Sequence, residues 1–309
     1  TMDLGPLLGL WLQSALIGFT MKAMGIIIFI LNVKKGKKFF NKEFWKYALG
    51  FNIPLLAYYL SQVIFNQSDR IMISHITSTS DAAMYGVAYN LAMILTFVLN
   101  AINGSYVPWL YGKIKKNNAQ DNKSISLILI MLMGLIILCV IWYAPEIILI
   151  MAGKQYSVAI YVVAPVSMSL LLLFYSQLFI NIEFYYEEKK MLVYGSIGAA
   201  VLNIILNGLL IPIFGFVAAG YTTLISYIVF ALSNYYTMRL MLKKRKLDDD
   251  MYDYKLLLLL FVAFMISGFL GVSLYGNLIL RILITLVVFG LLVINKNKFI
   301  DALKKIKER

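Results

Sequence analysis

Long apolar runs, separated by connectors that alternate between lysine-rich and lysine-poor, constrain this chain more than any other feature. The runs cover roughly residues 7–32, 48–75, 82–111, 124–144, 157–182, 191–211, 217–240, 255–273 and 278–295. A helix needs about 20 apolar residues to cross a bilayer, and each run is about that long. Connectors 33–46, 113–123, 183–190, 239–254 and the tail 296–309 together hold 23 lysines and arginines. The intervening connectors (1–6, 76–81, 145–156, 212–216 and 274–277) hold only Lys154. Basic connectors stay on the cytoplasmic side of a membrane. The expected fold is therefore all-α, a polytopic membrane protein of about nine transmembrane helices with its C-terminus in the cytoplasm and Thr1 outside.

Composition excludes the main alternatives. The chain is 61% hydrophobic and 14% charged over 309 residues, against about 45–50% and 25% for soluble domains. Its net charge of +13 lies in short connectors, with no basic stripe interleaved with aromatics, so no nucleic-acid partner is expected. One cysteine, Cys139, and one histidine, His75, leave no disulfide and no metal cluster of the usual ligands. No phosphate loop, HExxH or His/Ser/Asp set is present, so neither an enzyme nor a cofactor is expected. Thr1 begins the chain without a signal-peptide pattern, and 1–31 reads as a helix from the middle of a protein. The sequence therefore reads as a fragment lacking its first helices.

Residues 50–112 carry two polar stripes in otherwise apolar helices. Tyr58, Gln62, Asn66 and Asp69 follow at spacings of four, four and three; Tyr85, Tyr89, Thr96, Asn100 and Asn103 at four, seven, four and three. Such spacings put each set on one helix face. A wet face on an apolar helix suits the lining of a cavity. Tyrosine rings and amides are also what a sugar requires, apolar faces to lie against and partners for its hydroxyls. Interhelical hydrogen bonding explains such residues equally well, and is the favoured reading for Asn203 and Asn207. Gln177 and Asn181 are likewise four residues apart. Pro54, Pro108 and Pro165 can each kink a span, although proline is common in membrane helices.

Charges within spans are functional candidates by default. At about 1.5 Å per residue, Lys22 lies about 15 Å from the inner end of its span, near the midplane. Arg281 lies about 21 Å from the inner end of the last span and reads as snorkelling to the outer surface. Asp69 and Arg70 lie about 30 Å up, near the outer boundary. Neighbours in sequence do not face each other on a helix, so each needs its own partner. His75 and Asp81 flank the outer turn and read as solvated, with Asp81 a candidate N-cap. Glu183, Glu187 and Glu188 read as solvated or capping acids. Residues 145–152 read as a short interfacial helix, 243–253 as a basic-then-acidic linker, and the tail as an amphipathic helix on anionic lipid.

Two stretches carry a family resemblance. Asn66-Gln67-Ser68-Asp69-Arg70-Ile71-Met72-Ile73, with Met84-Tyr85-Gly86-Val87-Ala88-Tyr89 and Val107-Pro108, resembles the opening of the second lobe of bacterial polysaccharide flippases. Leu202-Asn203-Ile204-Ile205-Leu206-Asn207, with Ile211-Pro212, Gly215, Ala218-Ala219-Gly220, Thr222-Thr223 and Ile225-Ser226-Tyr227, resembles a later helix pair of that family. Phe216-Val217-Ala218-Ala219-Gly220 departs from the family pattern, because its second glycine follows the alanines. The resemblance covers about 45–240 and extends to the superfamily that also holds drug/cation antiporters. It implies two six-helix lobes around a central cavity with alternating access. Residues 1–44 would then be the last helix of the first lobe plus a basic loop, 45–242 the second lobe, and 243–309 a linker, two extra helices and the tail.

The function so implied is a flippase of the bacterial inner membrane that moves lipid-linked oligosaccharide for surface polysaccharide synthesis. Its partners would be that substrate, membrane lipid and other polysaccharide-assembly proteins. Lys22 and then Arg70 would attract pyrophosphate; Tyr58, Gln62, Asn66, Asp69, Tyr85, Tyr89, Asn100 and Asn103 complete the expected cavity set. An antiporter of the same superfamily is the alternative, which wants buried carboxylates. A non-transporting cell-wall scaffold is a third.

Overall fold

The computed structural model describes residues 42–188, 190–247 and 250–294. Among them the chain forms ten α-helices and two short 3₁₀ turns. The helices are α1 (Lys42–Ile76), α2 (Thr79–Met93), α3 (Leu95–Lys115), α4 (Asn122–Trp142), α5 (Ala144–Met151), α6 (Ile160–Tyr185), α7 (Lys190–Phe214), α8 (Val217–Lys244), α9 (Tyr254–Ser273) and α10 (Leu278–Ile294). The chain divides into two units, residues 1–53 and 54–309. Of the first unit, the described residues 42–53 are the opening turns of α1.

Each apolar run from 48 onward coincides with helix, whereas 7–32 lies outside the described residues. Six helical stretches among the described residues are long and apolar enough to cross a membrane. Residues 82–111 form two helices, α2 and α3, meeting at Ile94. There the amide of Ile94 reaches back only three residues, to the Leu91 carbonyl, and that of Phe97 to the Ile94 carbonyl. The interruption therefore falls at an isoleucine, while Pro108 and Pro165 sit inside continuous helices. Ser78, rather than Asp81, caps α2: its hydroxyl accepts from the Asp81 amide at 3.0 Å. Asp81 occupies the third helical position, where an acid favours the helix dipole.

Helix directions can be read from the side chains that bridge them. Ser61 pairs with Ser196 and Ser68 with Asn203, both 135 residues apart. A constant separation means that α1 and α7 run parallel. Both follow lysine-rich connectors, as alternating loop charge requires. Asn203 pairs with Thr223 and Asn207 with Thr222; the separation shrinks along α7, so α7 and α8 are antiparallel. Asn103 bonds Gln177, and the rings of Tyr111 and Tyr185 meet at 5.1 Å, both 74 residues apart, so α3 and α6 are parallel.

The most enclosed helix is α6, buried from Val162 through Leu172 and again along most of Phe174–Glu183. It packs chiefly on α8, with α2 and α4 on other sides. The segment before α9 is part of this packing: Met251 and Tyr252 are buried, Tyr252 donates to the Leu178 carbonyl at 2.7 Å, and Lys123 pairs with Asp250.

Helix α9 docks on α4 through close approach at glycine. A Cβ on Gly271 would lie 2.1 Å from the Trp142 ring, whose indole NH donates to the Ser267 carbonyl at 3.1 Å. A Cβ on Gly268 would meet the end of Met168, a flexible thioether. Gly271→Ala should therefore cost about 1–3 kcal/mol by overpacking, and Gly268→Ala distinctly less. Thermal unfolding of the two purified variants checks the order.

The buried Arg281 corrects the snorkelling expectation. It is 2% exposed on α10 and makes a two-pronged bond to Glu146 of α5, Nη1 at 2.8 Å and Nη2 at 2.7 Å. Nη1 also donates to the Trp142 carbonyl at 2.5 Å and Nη2 to the Tyr275 carbonyl at 3.2 Å. A fork of donors meeting a carboxylate is the geometry that makes burial of an arginine affordable. Residues 145–152 do form a short helix, α5, with Pro145 in its first turn.

Candidate functional site

The residues that carried the resemblance meet at one buried place. Asp69 of α1 is fully enclosed. Its Oδ2 accepts from the Tyr85 hydroxyl of α2 at 2.5 Å and from Thr223 of α8 at 2.7 Å. Its Oδ1 accepts from the Asn207 amide of α7 at 2.6 Å. Around this core, Asn203 donates to Thr223 at 3.2 Å and accepts from Ser68 at 3.0 Å. Asn207 donates also to the Asn203 carbonyl oxygen at 3.2 Å and accepts from Thr222. Four helices are thus joined by one network of neutral donors around a single carboxylate. Tyr85, Asn203, Asn207 and Thr222 are fully enclosed, and Thr223 nearly so.

Local sequence explains the assembly. Asn203 and Asn207 are one turn apart and face the same way. Ser61 and Ser68 are seven residues apart on α1, as are Ser196 and Asn203 on α7, which makes polar rungs about 10 Å apart between two parallel helices. Thr222 and Thr223 lie in the first turns of α8, where each also satisfies a distinct partner on α7.

Arg70 points elsewhere, as adjacent helical positions must. Its Nη2 donates to the Asn90 side chain at 2.6 Å and to the Gly86 carbonyl at 3.4 Å, and its guanidinium lies 5.0 Å from the centre of the Tyr89 ring. Its Nε is buried without a hydrogen-bond partner. Tyr89 stacks on Tyr85 at 5.9 Å. Arginine and carboxylate therefore stand back to back at the end of α1, and Asp69 has no basic partner among the described residues.

The other sequence candidates separate into two groups. Tyr85 and Asp69 are inside the network, so they present no surface to a ligand in this state. Tyr58 and Gln62 are half-buried, Asn100 is exposed, and Asn103 is half-buried with its amide donating to Gln177. The backbone at Asn66 is helical. Lys22 lies outside the described residues. The inward face of α1 runs through Ser61, Phe65, Ser68, Asp69 and Ile73; it shares Asp69 with the Tyr58–Gln62–Asn66–Asp69 stripe and otherwise runs one position before it. Sequence reading noted Ser196, seven residues before Asn203, but missed Ser61; its spacing of seven from Ser68, the same as that of Ser196 from Asn203, was the available signal. It also placed Glu183 among solvated or capping acids, whereas it is 1% exposed and its carboxylate accepts from Thr237 of α8. Among the described residues no three metal-binding side chains cluster.

Comparison with known proteins agrees with this architecture. Residues 5–112 match the family model described as "Polysaccharide biosynthesis protein". Protein 1 of the Lsg locus of Haemophilus influenzae is 27% identical over 167 residues, 51% of this chain and 40% of the relative. The solved structure of a MOP superfamily transporter from Pyrococcus furiosus superposes with a TM-score of 0.51 at 19% identity, over 72% of this chain and 52% of that one. The chain thus spans about half the length of the proteins it matches.

Proposed function

We propose that this chain, similar to polysaccharide biosynthesis proteins and to a MOP superfamily transporter, forms the later part of a flippase for lipid-linked oligosaccharide in a bacterial inner membrane. The observation that carries this reading is the family match over residues 5–112, which spans both Lys22 and the α1–α3 stripes. In this reading the basic connectors and C-terminus are cytoplasmic. The head group crosses along the polar faces while the lipid tail stays in the bilayer. The network around Asp69 does not touch substrate; it fixes α1 and α2 against α7 and α8, so that Arg70, Gln62 and Asn100 are held on a rigid wall.

A buried carboxylate without a basic partner among the described residues, Asp69, favours one second reading, an antiporter that exchanges a cation for its substrate. Translocation of a fluorescent lipid-linked oligosaccharide by the whole protein in proteoliposomes separates the roles. Lys22→Ala should slow it at least about tenfold, the loss of one charged contact of about 1.4 kcal/mol or more. Arg70→Gln should slow it less, because Arg70 already spends donors on Asn90 and Gly86. Unchanged transport in Lys22→Ala would remove that lysine from the mechanism.

A further inference from the structure

Glu183 lies in the last turn of α6, 1% exposed. One of its oxygens accepts from the Thr237 hydroxyl of α8. Its other oxygen, Oε2, is buried with no hydrogen-bond partner. On α8, one turn before Thr237, Asn234 is also 1% exposed, and its amide carbonyl Oδ1 is likewise buried and unpartnered. Its amide NH₂ is already committed to the Phe230 carbonyl at 2.8 Å, which fixes the carbonyl oxygen as the open side. Residues 234 and 237 share a helix face, and that face meets Glu183 through Thr237. Glu183 Oε2 on α6 and, one turn from Thr237 on α8, Asn234 Oδ1 are thus both buried acceptors without donors.

An ionised carboxylate only accepts, while a protonated one gains an O–H donor. Buried acceptors left unmet are costly, and one proton on Oε2 changes the balance from two orphan acceptors to a donor and an acceptor. Nearby charges do not supply the missing partner. Glu188, beyond the end of α6, pairs with Arg245 of α8 at 3.6 Å. Arg245 also donates to the Tyr186 carbonyl, Arg239 of α8 donates to Tyr235, and Lys113 of α3 pairs with Asp121. Lys255 of α9 lines a separate apolar groove with Leu172 and Phe179. Among the described residues no basic side chain is within ion-pair distance of Glu183.

We propose that Glu183 with Thr237 and Asn234 is a proton-binding site that clasps α6 to α8 at the lysine-rich end of the bundle. The proton would come from the aqueous phase on that side, within a turn of the helix end. The site stands whatever the protein transports, so it does not depend on the flippase reading.

Infrared difference spectra of the whole purified protein in lipid nanodiscs, recorded between acidic and alkaline buffer, test it. The expected result is a protonated-carboxyl C=O band that disappears on alkalinisation, is missing in Glu183→Gln and is kept in Glu188→Gln. Thr237→Val, which removes the one donor and keeps the shape, should retain the band at a shifted frequency. A band that persists in Glu183→Gln, or one unmoved by Thr237→Val, would overturn the assignment. So would loss of the band on adding sodium or potassium at constant pH, which would mark an alkali-cation site instead.

Discussion

Asp69→Ala is expected to lose about 3–5 kcal/mol of stability, enough to lower the unfolding temperature of the purified protein by many degrees. The carboxylate receives three donors from three other helices, and its removal leaves each to find a new acceptor in an enclosed space. An unsatisfied buried donor costs about 1–3 kcal/mol. Asn207 can fall back on the Asn203 carbonyl, already 3.2 Å away, which keeps the total below the sum of three. Asp69→Asn preserves the volume but places an NH₂ among donors, so its cost should be about 1–3 kcal/mol. A double-mutant cycle of Asp69→Ala with Thr223→Val should show strong coupling, because the two substitutions remove the same bond. Additive losses would mean that Asp69 and Thr223 act separately.

Glu146→Gln should be the second large effect, and larger than any substitution of Arg281 by a neutral residue of similar length. The asymmetry follows from exposure: Arg281 is 2% exposed and Glu146 34%. Removing the arginine leaves a carboxylate that water can reach. Removing the carboxylate leaves a guanidinium facing the Trp142 and Tyr275 carbonyls with no counter-charge. Stranding a buried charge costs about 3–5 kcal/mol, and partial hydration at Glu146 places this case near about 3. The bonds from Arg281 hold the Glu146 carboxyl below its ordinary value of 4.5. A carboxyl whose value is lower in the folded state stabilises above its unfolded value and loses that contribution as pH falls through the folded one. The clasp between α5 and α10 should therefore hold at neutral pH and loosen on acidification below about 4.5. Lower amide protection in α10 at acid than at neutral pH, each taken relative to the intrinsic exchange rate at that pH, is the expected readout; equal protection in Glu146→Gln and wild type at neutral pH would contradict it.

The helical class and span positions were legible in the sequence because each apolar run is long and bounded by charge. The network was legible only in pieces. Asn203 and Asn207 stood out as an interhelical pair, and Asp69 as a charge in need of a partner. Their meeting was not legible, since 138 residues separate Asp69 from Asn207 and periodicity carries no information about distant pairing. The buried face of α1 was not legible because it relies on Ser61 and Ser68, small residues that let helices approach, and apart from Asp69 it runs one position before the polar stripe. Arg281 was misread for a related reason. Depth along a helix can be counted, but the Glu146 that meets it comes from a short helix 135 residues away. The interruption at Ile94 has no sequence signal, whereas the prolines that do signal breaks lie in unbroken helices, which membrane burial tolerates.

Translocation by the unmodified whole protein tests the central claim most directly. In proteoliposomes carrying a fluorescent lipid-linked oligosaccharide in both leaflets, a flippase makes inner-leaflet label accessible to an external quencher at a protein-dependent rate. The account predicts that acceleration, with no efflux of a lipophilic organic cation from the same vesicles. Quenching no faster than in empty vesicles, together with protein-dependent cation efflux, would contradict it.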